Sequence, residues 1–313
     1  MMTTRPVGSV SFDLDNIWSF LKTHGDPEWA ERPSYLSVAT PRIVEFLGET
    51  DVVSTVFAIG ADVVRDDGAE AVRSFAAAGH EIGNHSFEHE PWLQRYSEDR
   101  LADEIDRTHD AIVAAGAPAP IGFRGPGYST SPVLQRLLAE RGYHYDASTL
   151  PTWIGPLARA HHFRSTTLTP EQREERAELF GGVGQARLPL RPYVSGESGI
   201  AELPVTTMPL LRVPIHGSYL IQLYAGSPAL ARTYFRTALR LCRMRAVGMS
   251  MLLHPTDLLD SRDAPSLTFF PGMSVPAQEK HRFMSWVVTT MKREFDVVGT
   301  GAHVKQALPA VSL

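Results

Sequence analysis

Short runs rich in Val, Ile and Phe alternate with longer amphipathic stretches along most of the 313 residues, and this rhythm leaves few folds open. The strand-like runs are Val7–Phe12, Val52–Ile59, His80–Gly83, Ile121–Phe123, Tyr143–Asp146, Leu203–Thr207, Met249–Leu253 and Phe295–Val298. Between them, Thr40-Pro41 opens one helical pattern, Glu70–Ala78 and Ser97–Ala115 are two more, and Ser131-Pro132 begins a fourth that ends at Gly142. Long helices are predicted over about Ser227–Arg245 and Pro276–Arg293. Strands separated by helices pair in parallel, because a parallel connection needs a crossover. Seven or eight such units favour closure over an open doubly wound sheet. The predicted fold is α/β, a deformed (β/α) barrel of about seven parallel strands.

Residues 151–202 break the rhythm, although Thr169-Pro170-Glu171-Gln172 has the pattern of a capped helix start. The chain therefore reads as one barrel domain over 1–313, with an irregular insertion at about 151–226 before the last strands. With 43% apolar residues, a chain this long can bury a large core without a disulfide or metal staple. Its single cysteine, Cys242, excludes an internal disulfide and a thiolate zinc site. Thirty Lys and Arg against 35 Asp and Glu give a net charge of −5, which speaks against nucleic acid as a partner. The most apolar stretch, Leu203–Gly226, is interrupted by Pro204, Pro209, Arg212, Pro214 and His216 and is no transmembrane segment. The N-terminal MMTTRPVGSVSFDLD lacks the pattern of a secretory signal, so a cytoplasmic location is expected.

Two segments carry recognisable chemistry. Asp13 and Asp15 flank Leu14 at the end of the first strand and point the same way. Two carboxylates so close repel unless a cation or proton intervenes, which fits a metal ligand beside a general base; a strand end with a capping Asp is the plainer alternative. In Gly83-Asn84-His85-Ser86-Phe87-Glu88-His89, a single helical turn would set His85 and His89 on one face, suited to one ion, although such spacing also arises on solvated helices. Asp15, His85 and His89 together make a two-imidazole, one-carboxylate set that leaves room for water and substrate. Zinc is the default for it, and cobalt, nickel, iron or manganese also suit such donors.

The order Ser11-Phe12-Asp13-Leu14-Asp15, then Gly83-Asn84-His85 with His89, then Phe123-Arg124-Gly125-Pro126-Gly127-Tyr128, then Leu252-Leu253-His254-Pro255 resembles the polysaccharide deacetylase superfamily, the NodB-homology domain of carbohydrate esterase family 4. The likeness covers residues 7 to about 147 and resumes near 248. It implies that Asp15, His85 and His89 bind a divalent metal and that Asp13 is the general base, paired with Arg124. It further implies that the Gly127 N–H faces the oxyanion and that His254 is the general acid. Three departures stand out. The aspartates are split by Leu14, as in a branch that includes cyclic-imide and ureide hydrolases; Gly127 replaces a usual aromatic; and Asp146 stands in for the carboxylate that tunes the acid histidine. Trp18, Trp92, Tyr128 and Trp153 neighbour the motifs and are candidates to face a sugar, with core packing as the ordinary alternative.

The resemblance implies a metal-dependent amidohydrolase that removes an acyl group, acetyl most often, from the nitrogen of an amino sugar in a glycan, lipid-linked saccharide or glycoside. A hydrolase of a cyclic imide or ureide on the same site is the alternative, and a non-catalytic saccharide- or protein-binding barrel is a third. Contact with a lipid-linked substrate and homo-oligomerisation stay open.

Overall fold

The computed structural model describes residues 5–309 apart from 167 and 197, both of which fall inside the expected insertion. Its sheet is built from β1 (Val7–Asp13), β2 (Thr55–Ala58), β3 (Glu81–Asn84), β4 (Gly122–Phe123), β5 (Tyr145–Asp146), β6 (Tyr193–Val194), β7 (Ala201–Glu202), β8 (Met249–Leu253) and β9 (Asp296–Val298). The order is β6-β7-β5-β4-β3-β2-β1-β8, and every pairing is parallel except β6 with β7. β9 takes the lower edge of β1, at Val7–Ser9, while β2 takes the upper half from Ser11.

The backbone after β7 curls the sheet into a barrel. Leu203 N–H donates to Asp146 O at 2.8 Å and Val205 N–H to Thr149 O at 2.8 Å, beside β5. One residue on, Thr206 N–H donates to Ser250 O of β8 at 3.1 Å. The ring is therefore β1, β2, β3, β4, β5, the β7 extension and β8, which is the deformed seven-stranded (β/α) barrel expected from the pattern.

Alternation along the strands separates an apolar outer face from an inner face that carries polar groups at its upper end and an apolar plug below. On β1, Val10 and Phe12 point outward into the main apolar cluster, under the helices Leu36–Thr50 and Ala277–Glu294. Ser11 and Asp13 point inward, where both contact the Arg124 side chain. Phe57, Tyr145, Ala201 and Leu203 fill the interior with Val304 of the last helix, Thr300–Ala307, which closes the lower end. Cys242 is buried in the outer packing.

Several boundaries differ from the expectation. The helix containing Pro41 begins at Leu36, so Thr40-Pro41 is internal to it. The helices Ile17–His24, Gly155–Ser165, Gly217–Gly226 and Thr300–Ala307 were not foreseen, nor was β6. The short strand lies before the expected Leu203 start, at Ala201–Glu202, and the backbone beyond it makes single bonds to two neighbours in turn. Among the described residues, no helix is long and apolar enough to cross a membrane.

Candidate active site

Each chemical side chain lies at or just past the C-terminal end of a barrel strand, the end at which barrel enzymes assemble their sites. Asp13 is the last residue of β1. Three residues on, Asn16 ends the extended run by capping the helix Ile17–His24: its Oδ1 accepts from Ile17 N at 2.9 Å and from Tyr35 N at 3.1 Å. The Tyr35 hydroxyl donates to the Asp15 carbonyl, so the backbone of this turn is fixed from two sides.

His85 and His89 follow β3, but not on a helical turn. Residues 85–89 form an irregular loop in which Ser86 (φ 59°) and His89 (φ 49°) adopt left-handed backbone. The loop keeps this shape because Glu104, reaching across from the helix Glu98–Ala114, accepts Phe87 N at 2.7 Å and Glu88 N at 2.9 Å. Asn84 Oδ1 accepts Ser86 N at 2.9 Å. The two rings therefore meet, with centroids 5.0 Å apart, by a route the helical spacing did not foresee.

Between those rings lies Asp15. Its Oδ1 is 3.2 Å from His85 Nε2 and 3.0 Å from His89 Nε2, and its Oδ2 is 3.9 Å from His254 Nε2. One ligand atom from each of Asp15, His85 and His89 lies within 4.8 Å of the others. All three side chains are buried, yet Asp15 Oδ1 and both ring nitrogens of His89 have no hydrogen-bond partner. Buried polar atoms are seldom left so, and unsatisfied atoms converging on one point are what a cation would complete. His85 Nδ1 lies 2.6 Å from the Arg124 carbonyl, which fixes that nitrogen as the donor and leaves Nε2 free toward Asp15. The donor set fits a divalent metal.

The electrostatics follow from this packing. Burial alone would raise the Asp15 pKa, but the imidazoles of His89 and His85 outweigh it and hold the carboxyl well below its usual range. Burial disfavours charge on both rings; at His85 the Asp13 and Asp15 carboxylates prevail and raise its pKa, whereas at His89 burial prevails and lowers it.

Arg124, fully buried, runs through the barrel interior. Its Nη1 donates to Asp13 Oδ1 at 2.7 Å and to Ser11 Oγ at 2.9 Å, and its Nε donates to Ala147 O at 2.9 Å. The guanidinium lies 4.3 Å from the Phe57 ring centroid. Asp13 Oδ2 is left facing the cluster, 3.9 Å from His85 Nε2. Gly127 has φ 58° in the turn that follows β4, and among the described residues its N–H has no acceptor. Tyr128, also left-handed at φ 66°, is half-buried, and burial followed by the nearby Asp13 charge raises its phenol pKa.

The partner of His254 is not Asp146. Asp257, three residues on in Leu253-His254-Pro255-Thr256-Asp257, accepts the His254 backbone N–H at 2.9 Å, and its Oδ2 is 4.0 Å from His254 Nδ1. Ser218 Oγ lies 3.2 Å from the same nitrogen. Asp146 turns outward from the barrel and is fully buried; it accepts from Ser148 Oγ and from Thr130 Oγ1, the latter at 2.9 Å, and it neighbours Glu202. It touches neither His254 nor solvent, so it does not tune the acid histidine. The H-x-x-D spacing was present in the sequence; Ser218 and the nearby buried His216 come from the edge of the irregular segment and carry no local signature.

Two of the expected sugar-facing indoles are also corrected. Trp18 is 0% exposed, donates from Nε1 to Asp62 Oδ1 at 2.8 Å, and is covered by Arg32 at 4.3 Å on one side while its edge meets His89. Trp92 is buried under the Arg176 guanidinium at 4.4 Å. Trp18 walls the histidine loop at His89. Trp153 keeps an exposed face, with its Nε1 donating to Leu211 O at 2.8 Å.

Comparison with known proteins agrees with this geometry. Residues 29–145 match the family model for polysaccharide deacetylases. A peptidoglycan deacetylase from Helicobacter pylori is 25% identical over 145 residues, covering 44% of this chain and 47% of the relative, so the chain spans about half the length of that curated relative. The crystal structure of a proposed polysaccharide deacetylase from Mycobacterium smegmatis superposes with a TM-score of 0.63 at 19% identity, over 99% of this chain and 93% of the other.

Over residues 29–145 the chain resembles the polysaccharide deacetylases.

The span that matches the family model holds His85, His89 and Arg124. Asp13, Asp15 and His254 lie outside it and reach the same point through the barrel. The fold likeness to the M. smegmatis protein extends over the whole chain, insertion included.

Proposed function

We propose that the protein is a metal-dependent hydrolase that removes an N-acyl group, acetyl foremost, from an amino sugar of a glycan, lipid-linked saccharide or glycoside. One observation carries this reading: Asp13 with its Arg124 partner, the Asp15–His85–His89 cluster and His254 converge from four strand ends on one point. The family-model match over residues 29–145 and the name of the H. pylori relative support the substrate class.

The chain's own groups have separable tasks. Asp15, His85 and His89 would hold the ion, zinc by the nature of the donors, which when bound supplies Lewis acidity toward the acyl carbonyl and the attacking water. Arg124 occupies one oxygen of Asp13 and orients the other toward the cluster, where it can take the proton of the attacking water. The unpaired N–H of Gly127 is a preorganised donor for the oxyanion of the tetrahedral intermediate. His254 faces the cluster through Nε2 and gives a proton to the departing amine; Ser218 Oγ holds its ring by Nδ1, with the Asp257 carboxylate 4.0 Å from the same nitrogen.

The test is acetate release from N-acetylated saccharides by Asp13→Asn and His254→Ala. Each should lose about 10²–10⁴-fold in kcat while retaining bound metal by elemental analysis. Near-normal release by either would overturn its assigned role. The split Asp13-Leu14-Asp15 motif favours a second reading, hydrolysis of a cyclic imide or ureide, and a panel of cyclic imides assayed beside the sugars decides between the two.

A further inference from the structure

Lys280 is a buried cation that the roles above leave without a task. It is 0% exposed, and burial pushes its ammonium down to about 8. It also lies in the first turn of the helix Ala277–Glu294, where the helix dipole disfavours positive charge. Among the described residues no carboxylate pairs with it. Instead Nζ donates to the Thr256 carbonyl at 2.8 Å, to the Leu259 carbonyl at 2.6 Å and to Met273 Sδ at 3.8 Å. An apolar side chain of the same length would avoid the cost of burying a charge here. The place of its bonds shows what the charge can do.

Thr256 and Leu259 bracket Asp257 in the turn that follows β8, so Lys280 ties down the backbone on both sides of the acid that faces the His254 ring. Asp257 itself is buried. A Cβ at Gly217 would overlap its Oδ2, so the first residue of the helix Gly217–Gly226 closes over the carboxylate. Burial raises the Asp257 pKa, and the charges of His254 and Lys280 act against that rise. A carboxylate so enclosed stays ionised only with positive charge nearby, and Lys280 supplies that charge from outside the turn. We propose that Lys280 is a positioning residue for His254: it fixes the turn, keeps the Asp257 carboxylate facing Nδ1 and so governs proton delivery to the leaving group. The proposal rests on the reading of His254 as the acid and adds the residue that supports it.

Dependence on the leaving group separates this role from a structural one. An amine departs only when protonated, whereas p-nitrophenolate leaves as the anion, so a fault in the acid slows an amide and spares an aryl ester. Lys280→Met has nearly the same shape without the charge. It should lower kcat for acetate release from N,N′-diacetylchitobiose about 10-fold or more and leave that for p-nitrophenyl acetate within about twofold, with zinc content unchanged. His254→Ala should give the same pattern more strongly. In an Asp257→Asn background the lysine substitution should add little, because both act on one element. Equal losses on amide and ester, no loss on either, or full additivity with Asp257→Asn would overturn the proposal. Lys280→Gln, which keeps a donor and drops the charge, carries the same expectation should the methionine variant not fold. NMR of the imidazole nitrogens gives a readout without turnover. The His254 signals, identified by their loss in His254→Ala, should shift in Lys280→Met and Lys280→Gln. Unshifted signals sink the proposal whatever bond the enzyme cleaves. Shifted signals in a protein that releases acetate from no N-acetylated sugar would sink the deacetylase reading and spare the link between Lys280 and His254.

Discussion

Arg124 is the residue on which the site turns, because a guanidinium in a barrel interior is tolerable only if its charge is met. Asp13 meets it at 2.7 Å, while Ser11 and the Ala147 carbonyl take two further N–H groups. The alternating Ser11-Phe12-Asp13 pattern showed in advance that the two polar side chains share a face, so the receiving half of this pair was legible. A second buried acid was not. Glu202 on β7 was taken as part of an irregular insertion, yet it is fully buried, accepts Thr149 N at 2.9 Å and Thr149 Oγ1 at 2.7 Å, and lies beside Asp146. Burial, and then the Asp146 charge, push its pKa well above the usual carboxyl range, so Glu202 carries the proton of the pair. Asp146 in turn anchors Ser148 Oγ, which accepts Gly125 N at 2.7 Å and so steadies the turn that presents Gly127. A carboxyl whose pKa is raised on folding contributes stability that is fully present below its unfolded value, about 4.3, and is lost as pH rises through the folded value. Glu202→Gln keeps an acceptor for Thr149 and a donor for Asp146 but cannot titrate. Its melting temperature, relative to wild type, should therefore rise steadily between pH 4 and pH 8. A pH-independent difference in thermal scans would show that Glu202 is ionised in the folded protein.

At the scale of elements, the helical spacing of His85 and His89 found the right pair for the wrong reason. Four residues apart, they were placed on one helical face; the fold brings them together through two left-handed residues, held by a carboxylate some fifteen residues downstream. No local pattern marks Glu104, because on the helix Glu98–Ala114 it is one acid among several, distinguished only by the face it turns inward. Its two acceptor bonds nevertheless fix the loop, and unmade they would leave two buried N–H groups unsatisfied at about 1–3 kcal/mol each. Glu104→Ala should consequently weaken metal affinity about 10–100-fold, the range usual for residues that orient ligands, while Glu104→Gln, which keeps one acceptor oxygen, should recover part of the loss. Titration with zinc against a competing chelator would measure both. Unchanged affinity in the alanine variant would mean that the loop is held by Asn84 and its own packing. The same logic explains His254: its motif was visible, but Ser218 depends on how the unforeseen helix Gly217–Gly226 abuts the end of β8.

For the whole molecule, parallel pairing and closure into a barrel were readable because the alternation of strand and helix survives in sequence, whereas the way the ring closes was not. It depends on three single hydrogen bonds of residues 203–206 to two different neighbours, a feature with no periodicity of its own. Closure matters because it draws the ends of β1, β3, β4 and β8 around one point, and the resulting burial leaves the Asp15 and His89 atoms without hydrogen-bond partners. The folded site thus sets donors for an ion in a geometry that the unfolded chain does not hold. An ion that binds only the folded form at 100 times its dissociation constant stabilises by about 2.7 kcal/mol. Each kcal/mol is worth about 2–4 °C in domains of 150–250 residues and somewhat less here. Chelation should accordingly lower the melting temperature by several degrees, and Asp15→Ala should remove the difference between metal-loaded and chelated protein. The effect should also depend on pH with a definite sign. Ligand imidazoles must be neutral to bind, and in the metal-free protein the pKa of His85 is raised while that of His89 is lowered. Protons therefore compete first at His85, starting at higher pH than for an ordinary imidazole. Stabilisation by added zinc should shrink as pH falls through the histidine range, and differential scanning fluorimetry from pH 5 to pH 8 would detect it. A zinc-induced shift that stayed constant over that interval would mean that His85 is not a ligand.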